Sequence, residues 1–119
     1  MGFIRVKASV GSPDRKKTKE EAFLADTGSW YMVLNPKLAD ELGLKFVGKV
    51  KLTLADKRVA EADVSPVYIK LLGREAILMA AILETPEPLL GVSVMEALGL
   101  ELDPTTGEIK ATKPALLLV

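Results

Sequence analysis

The sequence predicts a mostly β domain with two short helices. Three observations carry that expectation. Apolar residues recur at every second position in several stretches, the period of a strand with one buried face. Turn-forming groups separate those stretches, among them Gly11-Ser12-Pro13-Asp14, Ala55-Asp56-Lys57, Gly73-Arg74 and Asp103-Pro104-Thr105-Thr106-Gly107. Only two segments read as helices, and each ends in Leu-Gly-Leu. At 119 residues, 49% apolar and 27% charged, the chain has an ordinary globular balance. Its length suits one domain, taken as residues 1–119.

The elements follow in order. Phe3 to Val10 alternates, with Ile4, Val6, Ala8 and Val10 on one face and Arg5, Lys7 and Ser9 on the other. Gly11 to Lys19 reads as an exposed hairpin loop whose Arg15, Lys16, Lys17 and Lys19 form a solvated tip. Glu21 to Ala25 resumes as a strand, and Trp30 to Leu34 is the next one. Asn35 suits a helix N-cap and Pro36 the first helical position, where a missing N–H costs nothing. The helix runs from Lys37 to Leu42, and Gly43 supplies a left-handed stop. Phe46 to Leu54 and Arg58 to Leu72 read as a β-hairpin, with Pro66 marking an edge or a bulge. Glu75 to Leu83 reads as a buried strand. Leu89-Leu90-Gly91 leads into the second helix, Val92 to Leu98, stopped by Gly99. Asp103 caps a turn, and Ala115 to Val119 closes the chain as an apolar strand. Met32, Met79 and Met95 are expected as core filling, and Tyr68 as half-buried packing.

An internal echo crosses these elements. Val33-Leu34-Asn35, a helix and Leu42-Gly43-Leu44 return as Leu89-Leu90-Gly91, a helix and Leu98-Gly99-Leu100, at a constant offset of 56 positions. Chance likeness of two helix ends is one reading. A duplicated β-rich unit with pseudo-two-fold symmetry is the other, although the second unit has no Asp to match Asp26.

Composition excludes several chemistries. There is no His and no Cys, so there is no imidazole base, no Ser-His-Asp triad, no thiolate nucleophile and no disulfide frame. Net charge is zero, without the basic excess of a nucleic-acid binder. The longest apolar run, Ala76 to Leu83, is too short to span a bilayer, and the first residues lack the pattern of a secretory signal. A cytoplasmic protein without membrane or nucleic-acid partners is expected. Gln is absent and Asn35 is the only Asn, a bias that fits a thermophilic source. What chemistry remains must rest on carboxylates, Lys, Tyr or Ser.

Asp26 is the outstanding candidate. It ends the apolar run Phe23-Leu24-Ala25, where a carboxylate is partly buried. Thr27 and Gly28 follow, the glycine allowing a sharp turn and close approach, and Ser29 can bond the carboxylate or the turn. Turn chemistry alone also accounts for Asp26 as an Asx-turn at the surface. Glu84 and Glu87 flank prolines, and as a pair they read either as metal ligands or, more simply, as solvated loop carboxylates. Trp30 reads as core or as the wall of a pocket, with core favoured.

Leu24-Ala25-Asp26-Thr27-Gly28-Ser29 resembles the active-site loop of the aspartic proteases. With Val33-Leu34, the hairpin, Leu89-Leu90-Gly91 and the Leu-Gly-Leu helix ends, the chain resembles the retroviral-type, retropepsin-like branch, in particular its small prokaryotic and archaeal members. The resemblance implies a small closed β-barrel of acid-protease type with two short helices and a flap hairpin, one lobe per chain. It implies that Asp26 is catalytic, that Thr27 braces the paired loops, and that Gly28 and Ser29 complete the loop. Lys51 to Val64 becomes the flap, with Leu54, Ala55, Asp56 and Lys57 at its tip touching substrate beside Trp30. Leu89, Leu90 and Gly91 pack behind the loop. The implied function is hydrolysis of peptide bonds by a homodimer, with peptide or protein substrates and neither cofactor nor metal. Two features depart from the viral pattern: the flap tip has no glycine, and Val92 stands where many viral enzymes have Arg. A protease-like module that holds peptides without cutting them is the rival reading, and a plain β-barrel subunit is a third.

Overall fold

The computed structural model describes residues 4–26, 28–53, 56–103 and 105–111. The alternating N-terminal stretch forms β1 (Arg5–Gly11), which pairs antiparallel with β2 (Thr18–Ala25). The strands reach further into the basic loop than the sequence pattern indicates, and two of its cations are engaged. Arg15 stacks 4.7 Å over the Tyr68 ring, and Lys19 pairs with Glu41 at 2.9 Å. β3 (Met32–Leu34) is shorter than expected, because Trp30 and Tyr31 lie in a bend. Helix α1 (Pro36–Glu41) starts as its cap predicts, with the Asn35 side chain accepting from the Leu38 N–H at 2.8 Å. Gly43 beyond it has φ +64°.

β4 (Gly48–Thr53) and β5 (Val59–Leu71) form the flap hairpin, and β5 continues into a hairpin with β6 (Arg74–Ile82). The β5–β6 register runs unbroken from Asp63↔Ile82 to Leu71↔Arg74, so Pro66 makes no bulge. It sits instead where the other side of β5 changes partner, from β4 at Val59–Val64 to β1 at Tyr68–Lys70. A residue with no N–H is tolerated at that gap. β7 (Leu89–Leu90) leads into α2 (Val92–Leu98), whose C-cap Gly99 is left-handed. β8 (Leu100–Asp103) and β9 (Glu108–Ala111) form a separate hairpin that the sequence pattern had shown only as a turn. Asp103 accepts from the Thr105 N–H at 2.9 Å and holds Lys110 at 3.1 Å. The expected strand at 115–119 lies outside the described residues.

The large sheet has the order β1-β2-β7-β3-β6-β5-β4, and β5 returns to pair with β1. Six strands therefore close a ring, with β4 outside it. Read outward from its middle, the ring is β7, β2, β1 one way and β3, β6, β5 the other. At that middle, Val33 pairs antiparallel with Leu89, its own counterpart at the offset of 56. A residue paired antiparallel with its own counterpart lies on a two-fold axis, so the echo is a pseudo-symmetric fold plan.

Alternation along β3 and β6 divides the interior. Met32, Leu34, Ala80 and Ile82 face the main core with Phe23, Leu90, Val94 and Leu98. Val33 and Ala81 face the other way, into a smaller cluster with Ala62, Tyr31, Leu52, Leu83 and Leu89 beneath the hairpin. Met32 and Met95 are buried as expected. Met79 is not core: it is 43% exposed. It shares the face of Ala81 and Leu83, but at Met79 and Ile77 that face is no longer covered. Tyr68 is buried more deeply than expected, and its hydroxyl donates to Glu75 at 2.6 Å.

Candidate active site

β2 ends at Ala25, and the chain turns at Asp26 beside β7. The Asp26 N–H donates to the Leu90 carbonyl at 3.0 Å, which fixes the residue's position behind the loop. The Gly28 N–H donates to Asp26 Oδ1 at 2.9 Å, and the Ser29 N–H donates to the Asp26 carbonyl at 3.2 Å. This is the Asx-turn that turn chemistry predicts. It lies at a cavity wall and not on an ordinary surface, because Asp26, Gly28 and Ser29 all line one cleft of about 640 Å³. That volume lies within the range of small-molecule and peptide side-chain sites. Asp26 Oδ1 is held by the Gly28 N–H, Oδ2 accepts no hydrogen bond among the described residues, and the residue lines the cleft. Ser29 bonds the turn and not the carboxylate, its hydroxyl donating to the Tyr31 carbonyl at 2.9 Å.

Behind the turn, the start of α2 clamps the loop. The Val92 and Ser93 N–H groups donate to the Ser29 and Trp30 carbonyls at 2.8 and 3.0 Å. Those two donors are orphans at a helix start, and here the loop satisfies them. Gly91 makes the clamp possible. A Cβ at position 91 would lie 2.3 Å from the Tyr31 carbonyl oxygen and 2.6 Å from that of Trp30. Only glycine allows that approach.

The expected site residues separate into groups. Asp26, Gly28, Ser29, Trp30 and Leu89 converge on the cleft. Trp30 is 57% exposed, so the favoured core reading fails and the pocket-wall reading holds. The backbone explains why: the α2 clamp holds Trp30 in a bend before β3 begins, outside the sheet that would have buried it. Leu90 is buried in the main core, and its carbonyl fixes Asp26. Asp56 and Lys57 do not line the cleft. The hairpin reaches it through Leu52 and Thr53, lower on β4, since Leu52 shares the inward face with Val50 and Ala62. At the tip, Asp56 instead accepts from the Arg58 N–H at 3.0 Å and from its guanidinium, and Lys57 takes the left-handed conformation at φ +68° where a glycine would be easier. Thr27, Leu54 and Ala55 lie outside the described residues.

Sequence reasoning missed Tyr31, Val33, Leu83 and Thr85 as lining residues, and named Glu84 only as a solvated or metal-binding carboxylate. Every second residue from Tyr31 and from Ala81 faces the cleft side, but both stretches are unbroken apolar runs, so the sequence carries no period that marks them. Glu87, the other carboxylate of that loop, is taken by Arg5 in a two-bond pair at 2.9 and 3.0 Å. That pair holds the Glu87 carboxyl below the ordinary carboxylate range.

Comparison with known proteins agrees with this geometry. Over the chain as a whole, the fold is similar to that of EIAV protease, solved in complex with the inhibitor HBY-793, with a TM-score of 0.72. The two share 19% identity over 86% of this chain and 93% of that one, a likeness of fold. No curated protein matches the sequence. Among the described residues, no helix is long and apolar enough to cross a membrane. Residues 6–94, from β1 through the Asp26 turn and the hairpin to the clamp at α2, match the family model described as aspartyl protease, and the chain belongs to that family.

Proposed function

We propose that the protein is an aspartic endopeptidase whose catalytic centre is a pair of Asp26 carboxylates, one from each of two copies of the chain. The observation that carries this reading is the setting of Asp26, an Asx-turn carboxylate at the wall of an apolar-lined cleft. Acid proteases need two carboxyl groups sharing one proton, because like charges about 3 Å apart cannot both ionise. The second half of the chain offers none at the matching place. The Leu83 N–H bonds the Leu34 carbonyl as the Asp26 N–H bonds that of Leu90, so Leu83 stands in the place of Asp26, one residue beyond the offset of 56. A symmetric pair of chains supplies the missing carboxyl on its two-fold axis.

In such a centre one carboxylate takes a proton from water as the water oxygen attacks the peptide carbonyl carbon. The other, protonated, donates to the carbonyl oxygen. The tetrahedral diol then collapses: the C–N bond breaks, the nitrogen leaves with a proton from the carboxyl that took one from water, and a hydroxyl proton of the diol passes to the other carboxylate, restoring the shared proton. The Gly28 N–H on Oδ1 orients Asp26 for this exchange and leaves Oδ2 without a hydrogen-bond partner among the described residues.

Replacing Asp26 by Asn keeps the side chain's shape and its acceptor for the Gly28 N–H while removing the proton carrier. Peptide hydrolysis should fall about a thousandfold or more, with circular dichroism and solution mass unchanged. The solution mass should correspond to two chains, and titration with a transition-state mimic should count one site per pair. An Asp26→Asn protein that cleaves at the wild-type rate, or a wild type that cleaves as a single chain, removes the reading. A peptide-holding role without hydrolysis is the reading that the clasped, glycine-free hairpin tip favours. Its signature is tight peptide binding with no turnover in the wild type.

A further inference from the structure

We propose that Glu84 makes the cleft select peptides with a cationic side chain about three residues from the cleaved bond. The inference deepens the peptidase reading above and rests on it. Glu84 lines the same cleft as Asp26, whose other walls are mainly apolar: Trp30, Tyr31, Val33, Leu83 and Leu89. A lone carboxylate on an apolar wall is a point of discrimination, since a matched cation gains an ion pair that an apolar side chain cannot offer.

Glu84 is available for that role and its neighbour is not. Arg5 engages Glu87 with two hydrogen bonds, whereas Glu84 has no ion pair and no side-chain hydrogen bond among the described residues. On the flap hairpin Lys49 pairs with Asp63 at 3.4 Å and Arg58 with Asp56, and no cation of the hairpin forms an ion pair with Glu84 among the described residues. The mount is also stiff. The Leu83 N–H is tied to the Leu34 carbonyl at 3.0 Å, the Thr85 hydroxyl donates to the Glu87 carbonyl at 2.8 Å, and prolines stand at 86 and 88. A carboxylate already placed loses little freedom on binding.

Its distance from the cleaved bond follows from the sheet. Asp26 sits at the end of β2 and Glu84 just past the end of β6, with β7 and β3 between them. Three strand spacings of about 4.8 Å make about 14 Å along the sheet, but β2 and β6 stand opposite each other in the ring of six strands, so the straight distance is about 10 Å, or about three residues of extended peptide at about 3.3 Å each.

The test uses the whole protein and pairs of peptides that differ only by Lys or norleucine at successive positions on either side of the cleaved bond. The wild type should favour Lys about fivefold in kcat/KM at two positions, one on each side of the cleaved bond because the pair carries two Glu84 side chains, and the preference should be carried mainly by KM and weakened by salt. Glu84→Gln should lose that preference, the ratio of kcat/KM for the Lys peptide to that for the norleucine peptide falling to about one, and Glu84→Lys should reverse it. The same preference should appear in peptide affinities measured with Asp26→Asn, which reads Glu84 without the reaction. Equal selectivity in the wild type and Glu84→Gln overturns the proposal, as does a loss in Glu84→Gln that is the same for every peptide. Hydrolysis that survives Asp26→Asn removes the peptidase reading instead, and leaves the affinity comparison standing.

Discussion

The two halves of the ring share one plan and differ in their loops. In each half a hairpin leads to a strand end, a loop, a short strand and a helix. In the first half the loop is the tight turn at Asp26, and the chain re-enters the sheet at Met32. In the second, Leu83 takes the place of Asp26, and a proline-flanked loop runs to Leu89. The first loop carries the carboxylate and the second builds a wall of the cleft. One fold plan thus carries a carboxylate at the cleft in one loop and lines the cleft with the other.

The helix starts give the sharpest way to break this equivalence. Asn35 and Gly91 occupy the same place before α1 and α2, yet they work differently. Asn35 caps its helix with a side chain, while Gly91 has no side-chain cap and instead lets the helix start close on the Asp26 loop. Gly91→Ala forces a methyl to within 2.3 Å of a backbone oxygen, and the loop must move. We expect a loss of about 3 kcal/mol of stability and a larger loss of activity. Asn35→Ala should cost only about 1 kcal/mol and leave kcat/KM unchanged. Denaturant melts beside peptidase assays separate the two. Equal effects at the two positions would show that the halves use their helix starts in the same way.

A smaller effect is expected at the hairpins. The first half joins β1 to β2 through the broad loop at 12–17, while the second joins β5 to β6 through Leu72-Gly73 alone. Both of those residues have positive φ, +52° and +74°, the requirement of a two-residue turn that matches strand twist. Leucine strains there, and its side chain is 53% exposed with no packing to lose. Leu72→Asn should therefore raise stability by about 1 kcal/mol, read as a higher Tm with unchanged cleavage. A lower Tm would mean that Leu72 is covered in solution.

The same contrast explains what could be read from the sequence. Asn35, Gly43 and the Asp26 turn were legible because each acts through its own backbone within a few residues. Gly91 was legible through its resemblance, although the contact that demands it lies about sixty positions away in sequence. The faces of β6 were not legible. Ala76 to Leu83 is one unbroken apolar run, and such a run carries no period to say which side is covered. Its residues divide among the main core, the cleft and open surface, and Met79 fell on the last. Trp30 was misplaced for a related reason: an aromatic beside apolar neighbours reads as core until a distant helix start holds it in a bend. Glu84 and Glu87 looked alike in sequence, and only the partner from β1 tells them apart.

That partner supplies the smallest effect. The Arg5–Glu87 pair ties the second loop to β1, while the first loop is clamped to the start of α2 by bonds between backbone N–H groups and carbonyls. The Arg5 guanidinium lowers the Glu87 carboxyl below its ordinary value of 4.5 in the folded chain. A carboxyl with a lowered folded value adds stability above its unfolded value and loses it as pH falls through the folded one. The contribution is therefore present at neutral pH and fades as the solution is acidified below about 4.5. Both side chains are partly exposed, so the effect is modest and screened by salt. Melts of the wild type and Glu87→Gln across pH 7 to pH 3 should show a small Tm gap that closes at the acid end, and that narrows at neutral pH in high salt. The Val92 and Ser93 amides, whose acceptors are the Ser29 and Trp30 carbonyls, should keep their local protection from exchange over the same range, because neither bond involves Glu87. If the gap persists at pH 3, the pair is not what holds the second loop, and packing of Pro86 and Pro88 is the tie instead.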